Sequence, residues 1–155
     1  MKINDIEKLE YDDWWQLKDI EIPCLGEHMV SIGFDAEWIG EGNQCVEVPP
    51  SKRQLETLLY ISKLPKAFIR KARDKIIRNC EQVMEETDYG YDLQINTKKI
   101  EKYFKLNQVI IPLQKRTDAK NFILLGGCAW EGEHGLGLLC RNDKIIKVGA
   151  QSDFL

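Results

Sequence analysis

The chain has two histidines, and each closes a Gly-Glu-His tripeptide that follows a cysteine. The first stretch is Cys24-Leu-Gly-Glu-His28 and the second is Cys128-Ala-Trp-Glu-Gly-Glu-His134. Cysteine, histidine and carboxylate are zinc ligands, and they are also the groups of thiol and acid–base catalysis. The two stretches therefore pose a choice between a split metal site, a catalytic pair and turns that fix the backbone.

The spacing argues against a metal site. Three residues separate Cys24 from His28, and five separate Cys128 from His134. Standard zinc knuckles instead pair like ligands, as in Cys-x2–4-Cys with His-x3–5-His. The cysteines are an odd number without a Cys-x-x-Cys pair, which is typical of free thiols in a reducing compartment; they lie at positions 24, 45, 80, 128 and 140. We expect neither a metal ion nor another cofactor.

The densest titratable cluster is Glu131, Glu133 and His134. In an extended segment the two glutamates share a face and His134 points away, unless Gly132 makes a turn. Such a cluster could carry out acid–base chemistry. The favoured interpretation is that Glu133 or His134 hydrogen-bonds the backbone and fixes the entry to a hairpin. Nucleophile elbows and phosphate-binding glycine loops are absent from the sequence.

Charge is distributed unevenly along the chain. Residues 1–50 hold 12 acidic and 3 basic side chains, while the whole chain holds 25 and 22, for a net charge of −3. Phosphate backbones bind a net positive footprint, so we do not expect a nucleic-acid partner. An acidic first third instead favours a basic partner, because complementary potential speeds and orients encounter.

Apolar periodicity predicts strands at both ends of the chain and helices in its middle. The predicted strands are 14–22, 28–38, 45–48, 106–113, 122–130, 135–141 and 144–149. A first helix follows the N-cap Ser51 with Gln54 as its capping-box partner, a second starts at Pro65, and a short third covers 97–104. Residues 1–13 are expected to form a short helix or a mobile arm.

Strands followed by helices and then by strands predict an α+β fold. We expect a single domain, 1–155, with a mainly antiparallel sheet and a two-helix layer packed on one face. Strand 122–130 is apolar at both its odd and its even positions, so it should be a central strand covered on both faces of the sheet. In the last hairpin, a turn at Asn142-Asp143 would place Cys140 opposite Ile145 and Leu139 opposite Ile146.

Strand 28–38 alternates between apolar even positions, which should be buried, and polar odd positions that include Asp35 and Glu37. Asp19 and Glu21 share a parity on the preceding strand and are expected to lie beside them. Several carboxylates on one sheet face repel each other, so their collection there suggests a binding surface. The candidate binding residues are Asp19, Glu21, Asp35, Glu37, Glu41, Glu133 and His134.

The second helix carries a run of cations, at positions 66, 70, 71, 73, 75 and 78. The run could bind an anion, but such runs are more often the solvated face opposite an apolar stripe. No apolar run approaches the ~18 residues that span a bilayer. The first residues lack the apolar core of a signal peptide. These features predict a cytoplasmic protein without a membrane partner.

The stretch Trp130-Glu-Gly-Glu133-His134-Gly135, an aliphatic strand, a turn and then Val148-Gly149 resemble the C-terminal hairpin of a family of bacterial domains of unknown function. That hairpin reads Trp-x-x-Glu-His-Gly, and the chain departs from related sequences in having no glycine in its Asn142-Asp143 turn. The family resembles proteins of toxin-immunity loci, which bind and block a toxin. The resemblance implies binding and carries over no activity.

The sequence favours a non-enzymatic, immunity-like binding protein that offers an acidic sheet face to a basic toxin. Two alternatives stay open. One is a metal-dependent or acid–base enzyme that uses Glu131, Glu133 and His134. The other is a structural module that associates with itself.

Overall fold

A computed structural model describes residues 9–12, 14–36, 38–41, 46–87, 94–114 and 119–154. Its strands are β1 (Glu10–Asp12), β2 (Trp14–Glu21), β3 (Met29–Phe34), β4 (Trp38–Ile39), β5 (Val46–Glu47), β6 (Phe104–Ile111), β7 (Asn121–Cys128), β8 (Glu131–Arg141) and β9 (Lys144–Gly149). A seven-stranded sheet has the order β1-β2-β3-β6-β7-β8-β9, and β4 pairs with β5. Neighbours in the large sheet are antiparallel except β3 and β6, which run parallel.

Helical elements lie between β2 and β3, between β5 and β6, and after β9. They are α1 (Lys52–Ser62), α2 (Arg73–Glu86) and the 3-10 segments Pro23–Leu25, Phe68–Ala72, Thr97–Lys102 and Gln151–Asp153. The predicted capping box starts α1: Ser51 Oγ accepts from the Gln54 N–H at 3.2 Å, and Gln54 Oε1 accepts from the Ser51 N–H at 2.9 Å. No helix in the described ranges is long and apolar enough to cross a membrane.

The core lies between the sheet and the helices. Val30, Ile32 and Phe34 are at most 3% exposed, as the alternation in β3 predicts. Residues of α1 and α2 belong to the same buried cluster. On β7, Phe122 and Leu124 face this cluster, whereas Ile123 and Leu125 pack in a second cluster on the opposite sheet face. The predictions of an α+β fold, with two helices on one face and a central strand covered on both, are confirmed.

The helix expected from Pro65 begins later than predicted. Phe68 N–H donates to Pro65 O at 2.9 Å and Arg70 N–H to Ala67 O at 3.1 Å, so the segment winds as a 3-10 helix. Phe68 is fully buried there and its ring lies 6.2 Å from that of Phe122. Regular α-helical geometry starts at Arg73. Tertiary packing thus overrides the local helix signal.

Two further predictions are wrong in part. Glu10–Asp12 is a strand paired with β2 rather than a helix or an arm; residues 1–8 and 13 lie outside the described part. In the last hairpin Cys140 pairs with Ile145 as predicted, but Leu139 pairs with Lys147. The register shifts there because a bulge inserts Ile146, which is 50% exposed.

Candidate functional site

A groove lies where β3 and β6 begin. Pairing between these parallel strands starts at Ser31 and Gln108, although β6 itself begins at Phe104. The strands therefore separate towards this end of the sheet, and a cavity of about 780 Å³ occupies the space. Its walls come from the chain around the 3-10 segment Pro23–Leu25, from residues 66 and 69, and from residues 101–106. The volume is typical of ligand-binding sites, which measure roughly 300–1,000 Å³.

His28 joins the two strands where their backbone pairing stops. Its Nε2 lies 2.6 Å from Leu106 O. A carbonyl accepts only, so Nε2 carries the hydrogen of this bond. A Cβ on Gly26, whose φ is +112°, would lie 3.2 Å from Nδ1 of the same ring. His28 of the first Gly-Glu-His therefore ties the backbones of two strands together, through a contact between residues 78 positions apart.

The groove combines an apolar floor with a charged rim. Leu25, Ile69 and Phe104 contribute to the floor. The rim residues fall in two groups by sign: the cations are Lys66, Lys102 and Lys105, and the carboxylates are Glu21, Glu27 and Glu101. A smaller cavity of about 150 Å³ adjoins, shares Ile69 and Phe104, and adds Arg70 and Arg73.

Glu101 is already paired within the molecule. Arg73 Nε donates to Glu101 Oε1 at 2.9 Å, and its NH2 group donates to Thr97 O and Lys98 O. A backbone hydrogen bond and the Arg73 guanidinium lower the pKa of Glu101. Arg70 also contributes to this lowering, which leaves three lysines around the groove without a hydrogen bond or ion pair to any described residue: Lys66, Lys102 and Lys105.

The cationic run of the second helix is thus divided by the structure. Lys71 donates to Asp143 O at 3.2 Å, and Lys75 donates to Ile145 O at 2.8 Å, which covers the outer edge of β9. Together with Arg73, these side chains hold backbone carbonyls, while Lys71 and Lys75 are also exposed to solvent, as the sequence predicted for this face. Lys66 and Arg70 face the groove region instead. The run was the sequence signal for this site.

The thiols of the described residues are protonated near neutral pH. Cys24 lines the groove, and burial raises its pKa to about 11. Burial likewise raises the pKa of Cys128 to about 11 and that of Cys140 to about 12. A nucleophilic cysteine needs its thiolate, so Cys24 beside His28 is not an activated pair.

The second Gly-Glu-His is held by a different residue from the predicted ones. Glu131 Oε1 accepts from the backbone N–H groups of Glu133 and His134 at 3.3 Å each. His134 Nδ1 lies 3.3 Å from the same oxygen. The backbone-fixing side chain is therefore Glu131, while Glu133 and His134 are exposed.

Glycines of the C-terminal hairpin form a seat for the 3-10 segment Gln151–Asp153 and the residue after it. A Cβ on Gly137 would lie 2.5 Å from the Phe154 ring, and one on Gly149 would lie 2.5 Å from Asp153 Oδ2. Gln151 Nε2 donates to Gly126 O at 2.9 Å. Residues 151–154 thus occupy the space that side chains at positions 135, 137 and 149 would need.

The predicted acidic residues do not meet on one surface. In the β2–β3 register Trp15 pairs with Phe34 and Glu21 with Met29, so Asp35 and Glu21 lie at opposite ends of the pair. Six residues of strand between Met29 and Asp35 span roughly 20 Å. The expectation that Asp19 and Glu21 lie beside Asp35 is therefore wrong.

The other candidates are dispersed as well. Asp19, with φ of +57°, sits at the irregularity between Leu17 and Ile20 and is exposed. Glu41 is exposed beyond β4, and Glu37 lies outside the described residues. Desolvation raises the pKa of Asp35. Of the predicted acidic residues, Glu21 is the one that lines the groove.

Metal binding finds no geometric support in the ranges given above, where no three His, Cys, Asp or Glu side chains converge as ligands. No curated protein and no solved structure matches the chain. Residues 5–155 match the family described as Domain of unknown function (DUF6985), and the chain belongs to that family.

Proposed function

We propose that this chain is a non-enzymatic binding protein that receives its partner in the groove at the starts of β3 and β6. The observation that supports it is the cavity of about 780 Å³, with an apolar floor and a rim of cations that have no internal partner in the described residues. Apolar surface supplies affinity in such sites, and a few placed charges supply orientation. Cys24 is a protonated thiol and His28 is tied to Leu106, so neither supports chemistry in the groove.

The contact surface in this proposal differs from a flat acidic sheet face. The β2–β3 register separates the described residues Glu21 and Asp35, so these two carboxylates do not form a compact patch. A protein partner is the first class to test. The C-terminal hairpin resembles a family that is itself similar to proteins of toxin-immunity loci, and this likeness supports a toxin as the first candidate.

The test uses proteins encoded beside the gene. Each would be purified and titrated into this protein by calorimetry, with wild type compared against Ile69→Asp. A charge on the groove floor must be desolvated when a partner binds, so affinity should fall by about tenfold or more. Ile146→Asp is the matched control, because it makes the same change at a half-exposed position outside the groove.

Circular dichroism and thermal unfolding would confirm that both variants fold. A partner that binds wild type and Ile69→Asp equally well would refute the groove as the binding site. Turnover of a bound small molecule would instead favour the enzyme alternative.

A further inference from the structure

We propose that the groove recognises an extended, acidic segment of the partner, with apolar side chains on its floor and carboxylates towards Lys66, Lys102 and Lys105. This inference rests on the proposed function and names the chemistry that the groove selects. Three features of the site support it: cations without an internal partner, an elongated shape, and two walls of opposite charge.

The charge argument compares the groups that still lack partners. Glu101 is neutralised by Arg73 at 2.9 Å. Among the described residues that line the groove and its small neighbour, Lys66, Lys102 and Lys105 and the carboxylates of Glu21 and Glu27 remain without an ion pair, while Arg70 acts on Glu101 together with Arg73. The excess is positive, so the local potential attracts an anionic ligand. An acidic ligand would fill hydrogen-bonding positions that the fold leaves vacant on the three ammonium groups.

The shape argument favours a chain over a compact molecule. Two adjoining cavities, of about 780 and 150 Å³, share Lys66, Ile69, Glu101 and Phe104 in their walls. They run from the Gly26 side of β3 past Phe104 to Ile76 and Ile100. Phe104 and Lys105 also extend beyond the part of β6 that pairs with β3. An extended peptide follows such a path and can lie along an open strand end.

The opposite charges of the two walls determine which side of the segment faces each wall. Glu21 and Glu27 come from the end of β2 and the approach to β3, whereas Lys66, Lys102 and Lys105 come from the other side. Glutamate side chains of a ligand would be repelled from the first wall and attracted to the second. Alternating acidic and apolar residues fit this arrangement, since successive side chains of an extended chain point to opposite sides.

The test is fluorescence anisotropy with a dye-labelled peptide of alternating glutamate and leucine. A peptide of alternating lysine and leucine keeps the apolar face and reverses the charge, and a glutamate-only peptide removes the apolar face. We expect the Glu-Leu peptide to bind at least tenfold more tightly than either comparison peptide, and its affinity to fall with added salt.

Paired charge reversals locate the site. Lys66→Glu with Lys102→Glu should weaken Glu-Leu binding by about tenfold or more, since both attraction and sign are changed. Lys52→Glu with Lys144→Glu makes the same net change at exposed positions outside the groove, at the start of α1 and the start of β9, and should leave binding unaltered. All four positions are exposed, so the fold is preserved.

Equal or tighter binding of the Lys-Leu peptide would overturn the proposal, as would equal effects of the two double variants. If Ile69→Asp weakens binding of the protein partner while the Glu-Leu peptide fails to bind, the groove is the binding site but its ligand is not an acidic segment. If Ile69→Asp leaves partner binding intact, the proposed function fails, whatever the peptide does.

Discussion

The C-terminal hairpin and the groove differ in how completely their side chains are used. In the hairpin, Glu131, Gln151 and the glycines at 137 and 149 each have an internal contact that explains the residue type. At the groove, Lys66, Lys102 and Lys105 have no partner among the described residues, and the floor is apolar. The conspicuous sequence motif therefore serves packing, while binding capacity lies in residues that form no motif.

The difference has a physical cause. A glycine under a crossing backbone or a glutamate that holds its own turn is restricted by contacts within a few ångströms, so its type is recognisable in sequence. A groove formed by the separation of two parallel strands depends on register and on residues far apart in the chain. The following variants test the two halves of this comparison, from the largest expected effect to the smallest.

Gly126→Ala should be the most damaging single change. A Cβ there would lie 1.9 Å from Lys105 O and 2.7 Å from Leu106 Cα, and these backbone atoms cannot swing aside as a side chain can. β6 would be displaced beside the groove, and Leu106 O would move away from His28. We expect a loss of about 3 kcal/mol or more in unfolding free energy, measured by urea denaturation.

Gly127→Ala is the neighbouring control, because a Cβ at that position meets nothing within 4 Å. Its unfolding midpoint should stay close to that of wild type. Equal losses of unfolding free energy for the two variants would mean that the close contact between Gly126 and the β6 backbone is not what requires the glycine.

Local patterns were predictable from the sequence. Ser51 and Gln54 cap α1, β3 alternates as expected, and Asn142 takes a positive φ in its two-residue turn. Each depends on residues within one element or one turn. The same reasoning gave the fold class, since strand and helix order limits the possible architectures.

Non-local features were not predictable. The prediction of an acidic cluster was wrong because the position of Glu21 relative to Asp35 depends on the β2 irregularity and on the strand register. Neither follows from the alternation of odd and even positions in the sequence. Ile146 was misplaced because of a bulge, for the same reason. β3 and β6 pair in parallel although they lie about 75 residues apart in the chain. Because the groove depends on this pairing, the sequence could predict neither of them.

The thiol at the groove should be inert. Burial raises the pKa of Cys24 from 9.0 to about 11, so its thiolate fraction near pH 8 is about a hundredfold lower than that of an unperturbed thiol. Alkylation by iodoacetamide, followed by peptide mass spectrometry, should be slower in the native chain by about that factor than in the same chain unfolded in urea. Rapid native modification of Cys24 would favour a thiol–imidazole enzyme over a binding site.

Gly137→Ala tests the seat of the last residues. The added methyl would meet the Phe154 ring at 2.5 Å, and displacing that ring uncovers the cluster of Ile110, Ile123 and Leu125. We expect a loss of about 2 kcal/mol in unfolding free energy. Gly132→Ala, whose Cβ meets nothing within 4 Å, should cost far less.

A double-mutant cycle separates this clash from general strain in β8. In a Phe154→Ala background the methyl at position 137 has room, so Gly137→Ala should cost little or become favourable. Additive losses would show that residues 151–154 are not what requires the glycine.

Glu131→Ala should have the smallest effect and is the most direct probe of the second Gly-Glu-His. It removes one acceptor that two backbone N–H groups share at 3.3 Å, in a partly exposed turn where water can replace it. The expected loss of unfolding free energy is therefore about 1 kcal/mol or less, measured by urea denaturation. Glu133→Ala is the matched control, because its exposed carboxylate takes no part in these bonds, and it should be neutral. A larger loss for Glu133→Ala than for Glu131→Ala would instead support the sequence-based prediction that Glu133 fixes the backbone here. It would also weaken the contrast between a hairpin entry held by Glu131 and a groove whose lysines have no partner among the described residues.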